Sequence, residues 1–295
     1  MTPDPTIISL LAAQRPLLSV EFFPPKNEAG GQEILRTAAA IREEVQPDFV
    51  SITYGAGGTT RERTFRYARL LREEYGFRVM PHLTCVGHSR DELRAIIGEY
   101  VEQGFRNIMA LRGDPPKGVD NFTPHPEGLG YGSELVAFIQ EEFPEVCLGA
   151  GAYPEVHPEA PDAAADLRHL KVKVDAGAHF LTTQLFYDNA NFQRFVDQAR
   201  ASGIHVPILP GLMPLRSATQ ARRFCQHIPA ELDAQLIAHE GDATALAAVG
   251  VQWCHRQMVD LLAHGAPGVH LYIMNRSGAV RELVQQLRAD GLFQR

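Results

Sequence analysis

Eight times along this chain a short apolar run stops abruptly in a polar or glycine-bearing group. That recurrence restricts the fold more than any other feature. The clearest instance is FRNIMALRGDPP (residues 105–116). Ile108 to Leu111 has the character of a strand buried on both faces, and Arg112, Gly113 and Asp114 follow with two prolines to stop it. The other runs begin near Leu17 (LLSVEFF), Phe49 (FVSITYG), Val79 (VMPHLTC), Val146 (VCLGAGAYPE), Phe180 (FLTTQLFYD), Val206 (VPILPGLMP) and Gly268 (GVHLYIMN). Helical periodicity lies between them. Val280, Leu283, Val284 and Leu287 recur at helix spacing, and a helix over 162–176 starts after Pro161 and stops at Gly177. Strands joined by single helices imply right-handed crossovers and a parallel sheet. Eight such units close most economically into a (βα)8 TIM barrel, and 295 residues is an ordinary length for one. No low-complexity linker divides the chain, so residues 1–295 read as a single domain. The stretch 207–269 exceeds one βα unit and predicts extra helices before the last strand.

The chemistry-bearing residues fall at strand ends, which a barrel gathers at one mouth. Strand one ends in Glu21, strand two in Thr53 and Tyr54, strand three in His82, and strand four in Arg112-Gly113-Asp114. Strand five ends in the segment 153–157, strand six in Gln184, and strand eight in the segment 272–276. Arg112 and Asp114 read as an ion pair at the rim. Glu21 lies between Val20 and Phe22 in sequence, and an apolar setting favours the proton-carrying form of a carboxyl, as a general acid requires. A structural glutamate bonded to a neighbour is the plainer alternative.

His82, Cys85, His88 and His157 invite a metal reading, but residues 82 and 85 of one strand point to opposite faces. Strand one also lacks a paired-histidine motif, so no metal is expected. Gly55-Ala56-Gly57-Gly58 is a weak phosphate-loop signal, and no GxGxxG follows any strand. Asp166, His169 and Lys173 form a polar stripe on one helix, which alone reads as a solvated edge.

Twenty-eight basic against thirty-five acidic residues, without a basic block, argue against nucleic acid or an anionic membrane as the partner. No run approaches membrane-span length, and the N-terminus lacks the shape of a signal peptide. Four scattered cysteines without a CxxC pair suit a reduced, cytoplasmic protein.

Taken together, SVEFFPPK (19–26), SITYGA (51–56), PHLTC (81–85), ALRGD (110–114), AYPEVHPEA (152–160) and LYIMNR (271–276) resemble methylenetetrahydrofolate reductase in its short bacterial form. The resemblance runs through the whole chain in order. It implies a barrel holding FAD non-covalently, with NADH or NADPH as co-substrate, reducing 5,10-methylenetetrahydrofolate to 5-methyltetrahydrofolate by a ping-pong cycle. It implies that Glu21 is the acid that opens the folate imidazolidine ring, and that Asp114 binds the pterin beside the flavin. FAD contacts carried over are Thr53, Tyr54, His82, Arg112, Gly113, Asp114, Tyr131, Gly132, Tyr153, His157, Ala160, Asp166, His169 and Lys173. In this frame the helical stripe gains a purpose, with Asp166 for a ribose hydroxyl and Lys173 for phosphate. Folate contacts carried over are Gln184, Gln220, Phe224 and Arg276. A homo-oligomer is expected from the same resemblance.

Three departures stand out. His169 occupies a position where relatives often carry asparagine, the loop from Asp114 to Tyr131 is long, and GAGGTTRERT (55–64) leaves NADH against NADPH open. The rival readings are a folate-binding scaffold subunit without its own flavin chemistry and a metal-dependent barrel hydrolase.

Overall fold

The computed structural model describes residues 3–13, 15–55, 61–114, 123–225 and 227–294. The glycine-rich group at 56–58 and the loop residues 115–122 lie outside the described residues.

Nine parallel strands form one sheet: β1 (Leu17–Phe22), β2 (Phe49–Ile52), β3 (Val79–Thr84), β4 (Asn107–Leu111), β5 (Cys147–Ala152), β6 (Phe180–Thr183), β7 (Ile208–Leu209), β8 (Gly211–Leu212) and β9 (Gly268–Tyr272). Their order is β7-β6-β5-β4-β3-β2-β1-β9-β8. The two outermost members are halves of a single barrel strand on either side of Pro210. Proline brings no N–H to a ladder, but its carbonyl still accepts from His270 N at 2.9 Å. The result is a (βα)8 barrel whose eight strands fall where the apolar runs predict, the seventh broken by its proline.

Helices follow the strands. They are α2 (Glu28–Ala40, continued by a π-turn at Ile41–Val45), α3 (Arg61–Glu73), α4 (Arg90–Glu102), α5 (Gly132–Glu142), α6 (Ala163–Asp175) and α7 (Asn189–Ala201). Where one helix would close the seventh unit there are three: α8 (Ala218–Phe224), α9 (Ala230–Ala238) and α10 (Ala243–Ala263). α11 (Gly278–Ala289) follows β9 and buries the predicted stripe of Val280, Leu283, Val284 and Leu287. α6 matches the predicted helix over 162–176 to within one residue at each end. Its N-cap is Asp162, whose carboxylate accepts from Ala165 N at 2.7 Å.

Strand alternation sorts the side chains into two cores. Val20, Phe22, Val50 and Ile52 point outward and pack with helix residues such as Ile34 and Ala68. Leu17, Phe49, Met80, Met109, Phe180 and Leu209 fill the barrel interior. Ile7, from the short helix α1 (Ile7–Leu11), joins this inner core, and its N–H donates to Asn107 Oδ1 at 2.7 Å. The base of the barrel is thus plugged, which leaves the opposite mouth for ligands. α10 approaches closely at Gly250, where a Cβ would stand 1.9 Å from Leu215 O.

The four cysteines are buried free thiols, and no described helix is long and apolar enough to cross a membrane.

Candidate active site

Glu21 stands at the centre of the barrel mouth, 5% exposed. Its environment corrects the expectation of an apolar setting. Val20 and Phe22 adjoin it in sequence but face the helices, because successive strand residues point to opposite sides. Inside the barrel, Glu21 Oε2 lies 3.4 Å from His82 Nε2, 3.6 Å from His270 Nε2 and 3.5 Å from Ser51 Oγ. His270 Nδ1 is 2.8 Å from Ser19 Oγ, and Tyr272 packs edge-on against the His270 ring. Tyr272 donates its hydroxyl to Thr183 O at 2.7 Å. Burial lowers the His82 pKa to about 4, with the His270 charge adding to that and Glu21 opposing it. His82 is therefore neutral at physiological pH.

Sequence reasoning missed Ser51 and His270. For His270 the signal was present, since period-two counting along GVHLY places it on one face with Tyr272, the residue that the ladder sets beside Glu21.

A cavity of about 600 Å³ opens above this cluster. Glu21, Thr53, Tyr54, His82, Asp114, Tyr153, Gln184 and Phe224 all line it, so eight of the sequence-predicted residues converge. Tyr54 donates to, or accepts from, His88 Nε2 at 3.1 Å, and burial raises its phenol pKa to about 12. Gln184 turns its Oε1 back onto Leu185 N at 2.9 Å. Phe224 closes the last turn of α8 and is 38% exposed, with the Arg223 guanidinium 5.7 Å from its ring centroid.

The predicted Arg112–Asp114 pair acts only through charge, without direct contact. Arg112 forks onto Glu159, with both N–O distances 2.6 Å, and Asp114 is exposed at the cavity edge. The AYPEVHPEA loop supplies the partner because it folds back over the end of β4. His157 Nδ1 accepts from Glu159 N at 3.0 Å, Ala160 N donates to His157 O at 2.9 Å, and the Tyr153 and His157 rings meet edge-on at 4.5 Å. Val156 in this loop has φ +72°, a strained value for a β-branched residue. Gly113 is required by its backbone, since φ is +90° and a Cβ would stand 2.7 Å from Val86 Cγ1.

Other predicted residues lie outside this cavity. Asp166 and Lys173 line a narrow crevice of about 30 Å³ behind Tyr153. Asp166 Oδ2 accepts from His157 N at 2.9 Å, and Lys173 Nζ donates to Gly151 O at 2.9 Å. Burial lowers the Lys173 pKa, and Asp166 opposes that shift. His169 is exposed on α6, and Tyr131 is 64% exposed at the N-cap of α5. Gly132 is buried, and a Cβ on it would stand 3.2 Å from Arg112 N. Gln220 and Arg276 line a second cavity that adjoins the first.

The family model for methylenetetrahydrofolate reductase matches residues 6–288, nearly the whole chain. The chain belongs to the methylenetetrahydrofolate reductase family. It is 37% identical over 264 residues to the 5,10-methylenetetrahydrofolate reductase of Salmonella typhimurium, covering 88% of this chain and 86% of that protein. It is 36% identical over 274 residues to methylenetetrahydrofolate reductase 1 of Schizosaccharomyces pombe, covering 91% of this chain but 45% of that protein. The chain thus spans about half the length of this fungal relative. In fold it is similar to an uncharacterized protein from Clostridium thermocellum that binds two copies of 5-methyl-5,6,7,8-tetrahydrofolic acid. That likeness has a TM-score of 0.64 at 15% identity and covers 96% of this chain and 99% of the other.

The residues at the mouth of this reductase-family barrel fit a planar heteroaromatic cofactor such as a flavin. His82 Nε2 and Thr182 Oγ1 are buried without a hydrogen-bond partner, and both residues line the cavity. Gly151 in the wall leaves an open face, since a Cβ there would come only within 3.6 Å of Leu111. Among the described residues no group of histidine, cysteine or carboxylate side chains could hold a metal ion.

Proposed function

We propose that this chain is a single catalytic domain that reduces 5,10-methylenetetrahydrofolate to 5-methyltetrahydrofolate in a ping-pong cycle, using FAD and either NADH or NADPH. Bound FAD would supply a two-electron carrier that takes hydride from the nicotinamide and returns it to the folate. The observation that carries this reading is Glu21, a carboxyl held in a nearly closed cluster at the floor of a large cavity. Among the described residues it is the one carboxyl there within reach of His82 and His270. Glu21 delivers a proton to the folate nitrogen that leaves when the five-membered ring opens. The bond to that nitrogen breaks, and the carbon left on the other nitrogen becomes an iminium ready to accept hydride. Ser51 donates to the carboxyl, and His82 lies beside it without a hydrogen bond. Asp114 at the rim offers acceptors to the pterin donors, and Gln184 contacts whichever substrate occupies the same side. Tyr153, Thr53 and the α5 terminus beside Arg112 would hold the flavin, and Asp166 and Lys173 would bind its hydroxyl and phosphate groups.

The test is the purified protein's absorbance. A yellow protein that releases FAD, bleaches with NADH or NADPH and recovers its colour with methylenetetrahydrofolate supports the reading. A colourless protein that takes up no added FAD returns the scaffold alternative to first place.

A further inference from the structure

Two threonines follow each other on β6, and the fold uses them differently. The Thr183 hydroxyl accepts from Gly211 N at 2.9 Å, and its carbonyl accepts from the Tyr272 hydroxyl at 2.7 Å. Strand alternation turns Thr182 to the opposite side, the side of Phe180 in the inner core and of Gln184 at the cavity. Thr182 is 5% exposed, and its Oγ1 is buried with no hydrogen-bond partner among the described residues. Of the buried side-chain polar atoms left in that state, only His82 Nε2 shares the active-site cavity with it. A buried hydroxyl without a hydrogen bond destabilises a fold, and a valine of the same shape would suit the strand better.

The surroundings of Thr182 have the shape of a seat for a flat ring. On the adjacent strand β5 two glycines stand two residues apart, and the spaces beside them differ. A Cβ at Gly149 would stand 2.7 Å from the Phe180 ring and 3.2 Å from Met109 Cε, so those side chains fill the space. A Cβ at Gly151, which the ladder pairs with Thr182, would meet only Leu111 Cδ2 among the described residues, at 3.6 Å. The space beside Gly151 therefore belongs to the cavity. Met109, Leu111 and Gly151, from β4 and β5, line the wall between His82 on β3 and Thr182 on β6. An apolar wall flanked on each side by one hydrogen-bonding group suits a fused heteroaromatic system, which is apolar across its faces and polar along its edges.

We propose that Thr182 is a cofactor-binding residue whose hydroxyl hydrogen-bonds an edge of the flavin ring. The inference rests on the reductase reading, which supplies the flavin. A hydroxyl can donate to a ring nitrogen or carbonyl oxygen and, turned about its C–O bond, accept from a ring N–H. It therefore serves the oxidised and the reduced ring alike. The same group destabilises the apoprotein and stabilises the complex, so removing it has opposite effects on the two.

Two variants and two measurements decide the matter. Thr182→Val keeps the branched shape and removes only the hydroxyl, whereas Thr182→Ser keeps the hydroxyl and removes the methyl. Urea unfolding of the apoproteins reads stability, and fluorescence titration with FAD reads affinity. Thr182→Val should raise the urea midpoint of the apoprotein and weaken FAD binding about fivefold, the scale of one neutral hydrogen bond. Thr182→Ser should bind FAD nearly as wild type does, although its lost methyl lowers stability. Unchanged FAD affinity in Thr182→Val overturns the proposal. So does a fall in apoprotein stability alongside the fall in affinity, which would make the hydroxyl a support for β6. A Thr182→Ser protein that binds FAD as weakly as Thr182→Val overturns it too, because the methyl would then be the contact. Wild type that takes up no FAD overturns the reductase reading itself, and this contact with it.

Discussion

Glu21 Oε2 and His82 Nε2 face each other across 3.4 Å inside the barrel, and the histidine nitrogen makes no hydrogen bond. A buried nitrogen left without a partner is costly unless something arrives to use it. The neutral imidazole and the glutamate therefore form a poised pair at the floor of the cavity, one end of which awaits a ligand.

Glu21→Gln should divide the catalytic cycle. Hydride transfer from the nicotinamide to the flavin needs no proton donor at the folate, so flavin bleaching by NADH or NADPH should persist. Reoxidation by methylenetetrahydrofolate should slow by roughly 10²–10⁴-fold, the usual contribution of a general acid. Stopped-flow absorbance in each direction reads both steps. Reoxidation near the wild-type rate removes Glu21 as the acid, and loss of both steps with FAD bound makes it a structural residue.

Asp114→Asn should impair the folate half-reaction more than the nicotinamide one. The Asp114 charge acts on Arg112 and Tyr153 as well, so it is the difference between the two half-reactions, and not a uniform loss, that reports on folate contact. An amide offers one acceptor oxygen where the carboxylate offers two. A roughly tenfold loss in folate affinity is expected, typical of a hydrogen bond to a charged group. Identical half-reaction rates in mutant and wild type would remove Asp114 from the site.

Lys173→Ala removes both a cation and the bond from Nζ to Gly151 O. Retention of FAD should weaken by about tenfold if the ammonium also serves a phosphate. Fluorescence titration of the apoprotein measures this. An unchanged FAD affinity, with a lowered melting temperature, would make Lys173 a brace for β5 alone.

Acid should destabilise the fold through His82. Its pKa is depressed to about 4 in the folded protein, against an ordinary value near 6.5. Between those values the unfolded chain binds the proton more readily, so stability falls as pH drops through the window. At pH 5 the difference is worth roughly 2 kcal/mol relative to pH 8. His88, His157 and His179 are shifted in the same direction by burial and add to the trend. Urea unfolding of wild type and His82→Gln at both pH values should show a shallower pH dependence in the mutant. Parallel dependences would mean that His82 is solvated more than its burial indicates.

Much of this architecture was legible because a parallel barrel writes its strands as apolar runs and its mouth as their polar ends. The eight runs, the surplus of helix in 207–269 and the gathering of Glu21, Thr53, His82, Asp114 and Gln184 all follow from that. What resisted reading was pairing across distant segments. Arg112 finds Glu159 instead of Asp114 because a loop forty-odd residues later folds over it, and no local spacing encodes that encounter. Glu21 appeared apolar because its neighbours in sequence are, whereas its neighbours in space come from β2, β3 and β9.

The ladder between β1 and β9 pairs Leu17 with Gly268 and Glu21 with Tyr272, joining segments from opposite ends of the chain. Contacts of such separation carry a larger loop-closure cost than those between neighbouring units. While the chain emerges, β1 has a partner in β2 but an open edge on its other side, exposed to any extended segment nearby. The strand that closes the ring is also the strand that brings His270 to Glu21, so barrel closure and the surroundings of that carboxyl depend on the same ladder.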